Sequence, residues 1–158
     1  MTRAIRDGRY SFDHGTHWGA MRYVGRFAGG LRDGPWQVFN ADGSIAWEVT
    51  WKRGVWDGPA TTWWPNGVAQ HRGQYESGVM TGTWSFWFSN GQLAASGRYQ
   101  EDRKIGAWSY FDEEGLAMEY GPWEVKFSHW DWAFDDYSGM PRGENWPLPP
   151  GDCEPLSD

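Results

Sequence analysis

The sequence predicts an all-β fold: a single-layer, twisted antiparallel meander of stacked 24-residue β-hairpin repeats, followed by an irregular acidic C-terminal extension. Three observations carry this expectation. Gly34, Gly58, Gly82 and Gly106 recur every 24 residues, as do Gly43, Gly67, Gly91 and Gly115, and Phe27, Trp51, Tyr75 and Tyr99 keep the same step. A short unit repeated at fixed spacing cannot bury its apolar face alone, so neighbours must stack to complete it. Aromatics make up 18% of the 158 residues and include 14 Trp; flat rings suit pleated strands better than helices. Asp42-Gly43, Asn66-Gly67, Asn90-Gly91 and Glu114-Gly115 close successive aromatic runs, the punctuation expected of hairpins.

The elements follow in order. Residues 1–19 form an N-terminal cap in which Gly8 to Gly15 reads as a shortened strand and turn, since the terminal units of arrays are usually imperfect. Residues 20–123 form the array, with complete units at 20–43, 44–67, 68–91 and 92–115 and a fifth beginning at Gly121 and Trp123. Each unit contributes two antiparallel strands. In the third, Asn90-Gly91 suggests the positive φ values of a type I′ turn, and a hairpin centred between Val79 and Met80 sets Tyr75 opposite Trp84 and Gly73 opposite Phe86. Alternation places Trp84, Phe86 and Phe88 on one face and Ser85 and Trp87 on the other. A bare glycine facing a ring lets the ring lie over the backbone; Gly25, Gly73, Gly97 and Gly121 hold that slot, and Val49 departs from it. The expected core is a ladder of Phe27, Trp36, Trp51, Tyr75, Trp84, Tyr99, Trp108 and Trp123, with Ala60 as its gap. Residues 124–158 form the extension, aromatic and acidic as far as Tyr137 and Pro-rich after Met140.

A net charge of -7 conceals an asymmetry. Residues 1–111 carry 12 Lys/Arg against 9 Asp/Glu, whereas residues 112–158 carry 2 against 12. A split of this kind marks an interaction surface. Mean hydropathy is -0.75, and no apolar run approaches the ~18 residues of a membrane helix. No cluster of four or more Lys/Arg is present for anionic lipid, so neither a membrane nor nucleic acid is expected as partner. The first residues carry charge without the apolar stretch of a signal peptide, and Cys153, the one cysteine, reads as an exposed thiol without a role. The expected location is cytoplasmic.

Catalytic chemistry finds little support. His14 and His17 lie close together, but His71 and His129 are remote and a metal site needs three or four ligands; the histidines read as surface residues, and no metal or cofactor is expected. Asp33, Asp42 and Asp57 fall near turns, where carboxylates bond local backbone amides. No nucleophile elbow, phosphate loop or dinucleotide fingerprint occurs, so an enzyme is not expected. Two features stand out as candidate partner-binding sites. The column Phe39, Trp63, Trp87 and Phe111 falls on the face opposite the ladder, where it forms either a covered second layer or a binding strip. Trp130, Asp131, Trp132, Asp135 and Asp136 interleave rings with carboxylates, as a solvated tail or as a segment that docks into a basic cleft. Edge strands at both ends allow self-association.

The stretches Phe27–Gly43, Trp51–Gly67, Tyr75–Gly91 and Tyr99–Gly115 each hold an aromatic, spaced glycines, then a Trp column and an aromatic strand ending in a Gly turn. Asp102 replaces the glycine found at 30, 54 and 78, and Ala60 interrupts the Trp column. The pattern resembles the MORN-repeat variant family, whose members include antitoxin components of bacterial toxin–antitoxin pairs. The resemblance implies a stacked-hairpin sheet and a non-catalytic immunity or antitoxin protein that occludes the active site of a cognate toxin; it does not extend to residues 124–158. Two other uses stand beside this one. One is the scaffold or membrane-surface role associated with the wider MORN group. The other is a glycan- or choline-binding array, to which Gly78 to Trp84 is superficially similar.

Overall fold

A computed structural model describes residues 4–16, 19–119 and 146–157. The described chain forms one open antiparallel sheet: β1 (Gly8–Thr16), β2 (Gly19–Ala28), β3 (Leu31–Arg32), β4 (Gly34–Phe39), β5 (Ile45–Lys52), β6 (Val55–Trp63), β7 (Ala69–Glu76), β8 (Val79–Trp87), β9 (Leu93–Gln100), β10 (Arg103–Phe111) and β11 (Ala117–Met118). Strands neighbour one another in chain order, and β3 pairs β2 as the short start of the strand that β4 continues beyond Asp33. The expected meander, two strands per unit, is what forms. The N-terminal cap contributes a full nine-residue strand, paired with β2 from Gly8↔Phe27 to Thr16↔Gly19.

The turns exchange the roles expected of them. Two-residue connections with positive φ at both positions fall at Gly29-Gly30, Arg53-Gly54, Ser77-Gly78 and Glu101-Asp102, and these are the type I′ turns. Asp102 at φ 65 fills the slot of the missing glycine, and its own carboxylate accepts from Met80 N at 2.8 Å. The Asn-Gly slots instead close three-residue loops. Gly67 N donates to Trp64 O and Trp64 N to Val68 O, and Gly67 alone adopts positive φ there, a type I turn finished by a left-handed residue. Asn66 Oδ1 accepts from Val68 N and Asp42 Oδ1 from Ser44 N. Asp33 and Asp57 cap the next unit's turn, at Arg53 N and Ser77 N. Asp42 bonds a local amide as expected, whereas Asp33 and Asp57 hold the turn of the next unit instead of their own.

The hairpin register differs from the expected one because the chain turns at Ser77-Gly78, two residues before the expected centre between Val79 and Met80. Tyr75 pairs with Met80, and His71 with Phe86. The second strand of each hairpin carries a bulge near Gly58, Gly82 or Gly106, all at positive φ, so the pairing sum shifts by two residues partway along. Gly73 therefore lies beneath Trp84, not Phe86: a Cβ on Gly73 would meet the indole at 1.9 Å. Gly25 under Trp36 and Gly97 under Trp108 repeat this at 2.1 and 2.2 Å. In the second unit Val49 pairs with Ala60, so the two departures noted in the sequence are one event, a ring-on-glycine pair replaced by two small apolar side chains. Trp56 supplies a ring in that unit instead, 6.0 Å from Trp51 and 4.9 Å from Tyr75.

The core lies on one face. Trp36, Trp51, Trp56, Trp84, Tyr23, Tyr75 and Phe27 are all at most 2% exposed. Within a unit the Trp stands edge-on to the aromatic nine residues earlier: Phe27–Trp36 at 5.1 Å, Tyr75–Trp84 at 5.3 Å and Tyr99–Trp108 at 5.1 Å. Such pairs contribute ~0.5–1.5 kcal/mol each beyond the area they bury. Trp123 lies outside the described residues. The C-terminal stretch 146–157 returns to the opposite end of the array, where Trp146 packs against Tyr23, Trp36, Trp51 and Trp56. Cys153, expected to be exposed, is half-buried with Sγ 3.9 Å from Ser11 O.

Candidate partner-binding face

The row Phe39, Trp63, Trp87 and Phe111 lies where alternation places it, on the face opposite the core, and each ring is half-buried. Successive members sit two strands apart, ~10 Å, beside the loops at 40–43, 64–67, 88–91 and 112–115. Bulges between Val38 and Phe39, Thr62 and Trp63, and Phe86 and Trp87 end the regular ladder at this margin. The loops behind the rings are tied unit to unit: Asn66 Nδ2 donates to Ser89 O, Asn90 Nδ2 to Glu113 O, and Trp64 Nε1 to Trp87 O. The rings are thus held on a braced scaffold, which lowers the ordering cost of binding.

The same face is otherwise polar. Gln37 bonds Glu48 at 2.8 Å, Arg72 bonds Thr61 at 3.4 Å, and the Ser85 and Ser96 hydroxyls meet at 3.2 Å. The Arg72 guanidinium lies 5.8 Å from the Trp87 ring centre. At the N-terminal end of the row, Phe39 borders a cleft of about 420 Å³ whose wall includes the Arg22–Asp13 ion pair. A margin of rings set against a polar, arginine-bearing field has the make-up of a protein-contact surface.

Residues 130–136, the other candidate, lie outside the described residues, as do His17 and His129. On the core face two clusters escaped the sequence reading. The first surrounds Arg32, whose guanidinium carbon lies 4.7 Å from the Trp36 ring centre, 5.1 Å from Phe27, 5.4 Å from Trp51 and 5.6 Å from Trp146. Arg32 donates to Pro147 O, and burial pulls its pKa down to about 10. Burial also pushes the Tyr23 hydroxyl up to about 12, against a smaller opposing effect of the Arg32 charge. The repeat held a clue: Lys104, three periods after Arg32, lies 5.0 Å over Trp108 in the same way. The second cluster is His71, expected at the surface and found 4% exposed. Its column is Tyr23, Trp47, His71 and Ala95, a core-facing position, and its ring nitrogens lie 2.9 and 3.0 Å from Thr62 Oγ1. Burial drives its pKa down to about 3, so the ring is neutral at physiological pH.

Among the described residues, no three His, Cys, Asp or Glu side chains gather as metal ligands, and no helix is long and apolar enough to cross a membrane. Residues 80–101 match the protein family described as MORN repeat variant, while no curated protein matches the chain. The matched stretch covers most of one period, and residues 56–77 and 32–53 hold the same register one and two periods earlier. The match supports a repeat of the MORN type and, with it, a protein-binding module of the generally non-catalytic kind.

Proposed function

We propose that this protein is a cytoplasmic, non-catalytic immunity or antitoxin protein that neutralises a cognate toxin by binding over its active site. The observation that carries the reading is the braced row Phe39, Trp63, Trp87 and Phe111 on the face opposite a fully formed core. Half-buried rings outside the core cluster, held beside polar groups, suit the centre of a protein interface. The charge of residues 112–158 supports a partner with a basic cleft, because opposite potentials steer encounter and speed association.

The test is genetic and then physical. Reading frames adjoining this gene are expressed singly in a host cell. The reading expects one product to arrest growth, this protein to restore growth when co-expressed, and the two to elute together at fixed stoichiometry. A set of neighbours in which none is toxic, or a toxic one whose effect this protein leaves unchanged, refutes the proposal.

A further inference from the structure

The C-terminal stretch also runs along the open edge of the sheet. Leu156 N donates to Arg9 O at 2.6 Å, Arg6 pairs with Glu154, and Pro155 lies so near Gly8 that a Cβ there would meet it at 2.7 Å. Arg9 O points to this stretch, with β2 on the other side of the strand. Antiparallel geometry therefore turns the backbone groups of Ser11, Asp13 and Gly15 outward too. β1 has nine residues, against two in β11 at the other edge. A long edge with outward N–H and C=O groups is a template for strand pairing.

We propose that residues 148–157 are an edge guard, and that the β1 edge beneath them is a pairing site for β1 of a second copy of this chain. The strand is self-complementary about Ser11. A two-fold antiparallel pair centred there sets Arg9 opposite Asp13 of the second copy on the outer face, and Tyr10 opposite Phe12 of the second copy on the core face. Opposite charges and paired rings both stabilise cross-strand neighbours, and a two-fold axis makes each contact occur twice. The odd-numbered residues carry the outward groups on both strands, so this register also aligns the hydrogen-bonding pairs. Asp13 already accepts from Arg22 on β2 at 3.0 Å, which holds its carboxylate on the outer face. The guard competes as a tethered segment at high effective concentration, so the whole chain is monomeric when dilute.

A chain ended after Pro147 tests this while keeping Trp146 and the Arg32–Pro147 hydrogen bond. It also lacks Cys153. Sedimentation equilibrium is expected to show a dimer whose dissociation constant is at least about tenfold below that of the whole chain. Ser11→Cys in the shortened chain supplies the sole thiol. Directly opposed hydrogen-bonded residues lie ~5.5 Å apart at Cα, within disulfide reach, so oxidised glutathione should cross-link position 11 and leave Arg9→Cys or Asp13→Cys largely uncrosslinked. Arg9→Asp and Asp13→Arg chains should each be monomeric alone and dimerise when mixed. Should the shortened chain fail to fold, Leu156→Pro in the whole chain removes the N–H given to Arg9 and is expected to strengthen dimerisation likewise. A folded shortened chain or Leu156→Pro chain that stays monomeric at its solubility limit overturns the proposal, as does equal cross-linking at 9, 11 and 13.

Discussion

Gly73→Ala tests whether rings resting on glycines set the packing of the units. The added Cβ would lie 1.9 Å from Trp84 Cδ2 and 2.1 Å from Cε2, so the indole must retreat by roughly 1.5 Å to reach the ~3.5 Å of ordinary carbon contact. Trp84 is 0% exposed and stands edge-on to both Tyr75 and Tyr99, so a retreat disturbs two neighbouring units. Overpacking of this kind costs ~1–3 kcal/mol. Gly73 does not hold a positive φ, so Ala also gains ~0.4–1 kcal/mol from the stiffer unfolded chain. With the steric cost near its upper limit, the net loss is about 2 kcal/mol, a fall in Tm of roughly 4–8 °C for a domain of this size. Thermal melts read in the Trp near-ultraviolet dichroism measure it. Gly15→Ala, with nothing within 4 Å of its Cβ, is the control and should shift stability by under ~0.5 kcal/mol. The double change Gly73→Val with Trp84→Ala copies the Val49–Ala60 pair, and its cost should fall short of the summed single costs by more than ~1 kcal/mol. A neutral or stabilising Gly73→Ala, or strict additivity in the cycle, refutes the reasoning.

His71 has a folded pKa of about 3, below its ordinary 6.5, through burial. The unfolded chain therefore binds the extra proton first, and the stability is whole above about pH 6.5 and is lost as pH falls towards 3, by at most ~1.4 kcal/mol per pH unit. Urea midpoints between pH 7.5 and 4.5 should fall faster for the native chain than for His71→Gln; equal slopes contradict this. Arg32→Ala should cost ~2–4 kcal/mol by opening a cavity among four rings and releasing Pro147 O, with faster proteolysis of residues 148–157, whereas Lys104→Ala, on an exposed side chain, should cost under ~1 kcal/mol. Equal effects of the two changes, by denaturant titration and timed digestion, would speak against the ring cage. Ser77 sits at φ 50 in a type I′ turn, so Ser77→Asn should stabilise by ~0.5–1 kcal/mol, visible as a raised Tm; a lowered one contradicts the turn assignment.

The period made the fold readable, because a residue's column fixes its face once one unit is oriented. That logic located the ladder, the glycines under rings and the outer row. It fails on register, since counting centres the hairpin between Val79 and Met80 where the chain turns at Ser77-Gly78, and since two extra residues at the Gly58, Gly82 and Gly106 bulges are invisible to counting; and it assigns the type I′ geometry to Asn90-Gly91 because that dipeptide is the stronger short-range signal. His71 was misjudged by residue type although its column, shared with Tyr23 and Trp47, already pointed to the core. Trp146 had no column to place it, and its seat against Arg32 depends on a contact spanning more than a hundred residues. The outer row was legible as a position, while its use by a partner depends on chemistry that lies in another molecule.

The most direct measurement is the affinity of the growth-arresting partner for four variants, Phe39→Ala, Trp63→Ala, Trp87→Ala and Phe111→Ala, by calorimetry beside thermal melts of each. The account predicts that at least two of the four lose about tenfold or more in affinity, near 1.4 kcal/mol, while their Tm falls far less than that of Trp84→Ala. Undiminished binding when all four rings are removed from a folded chain would contradict it.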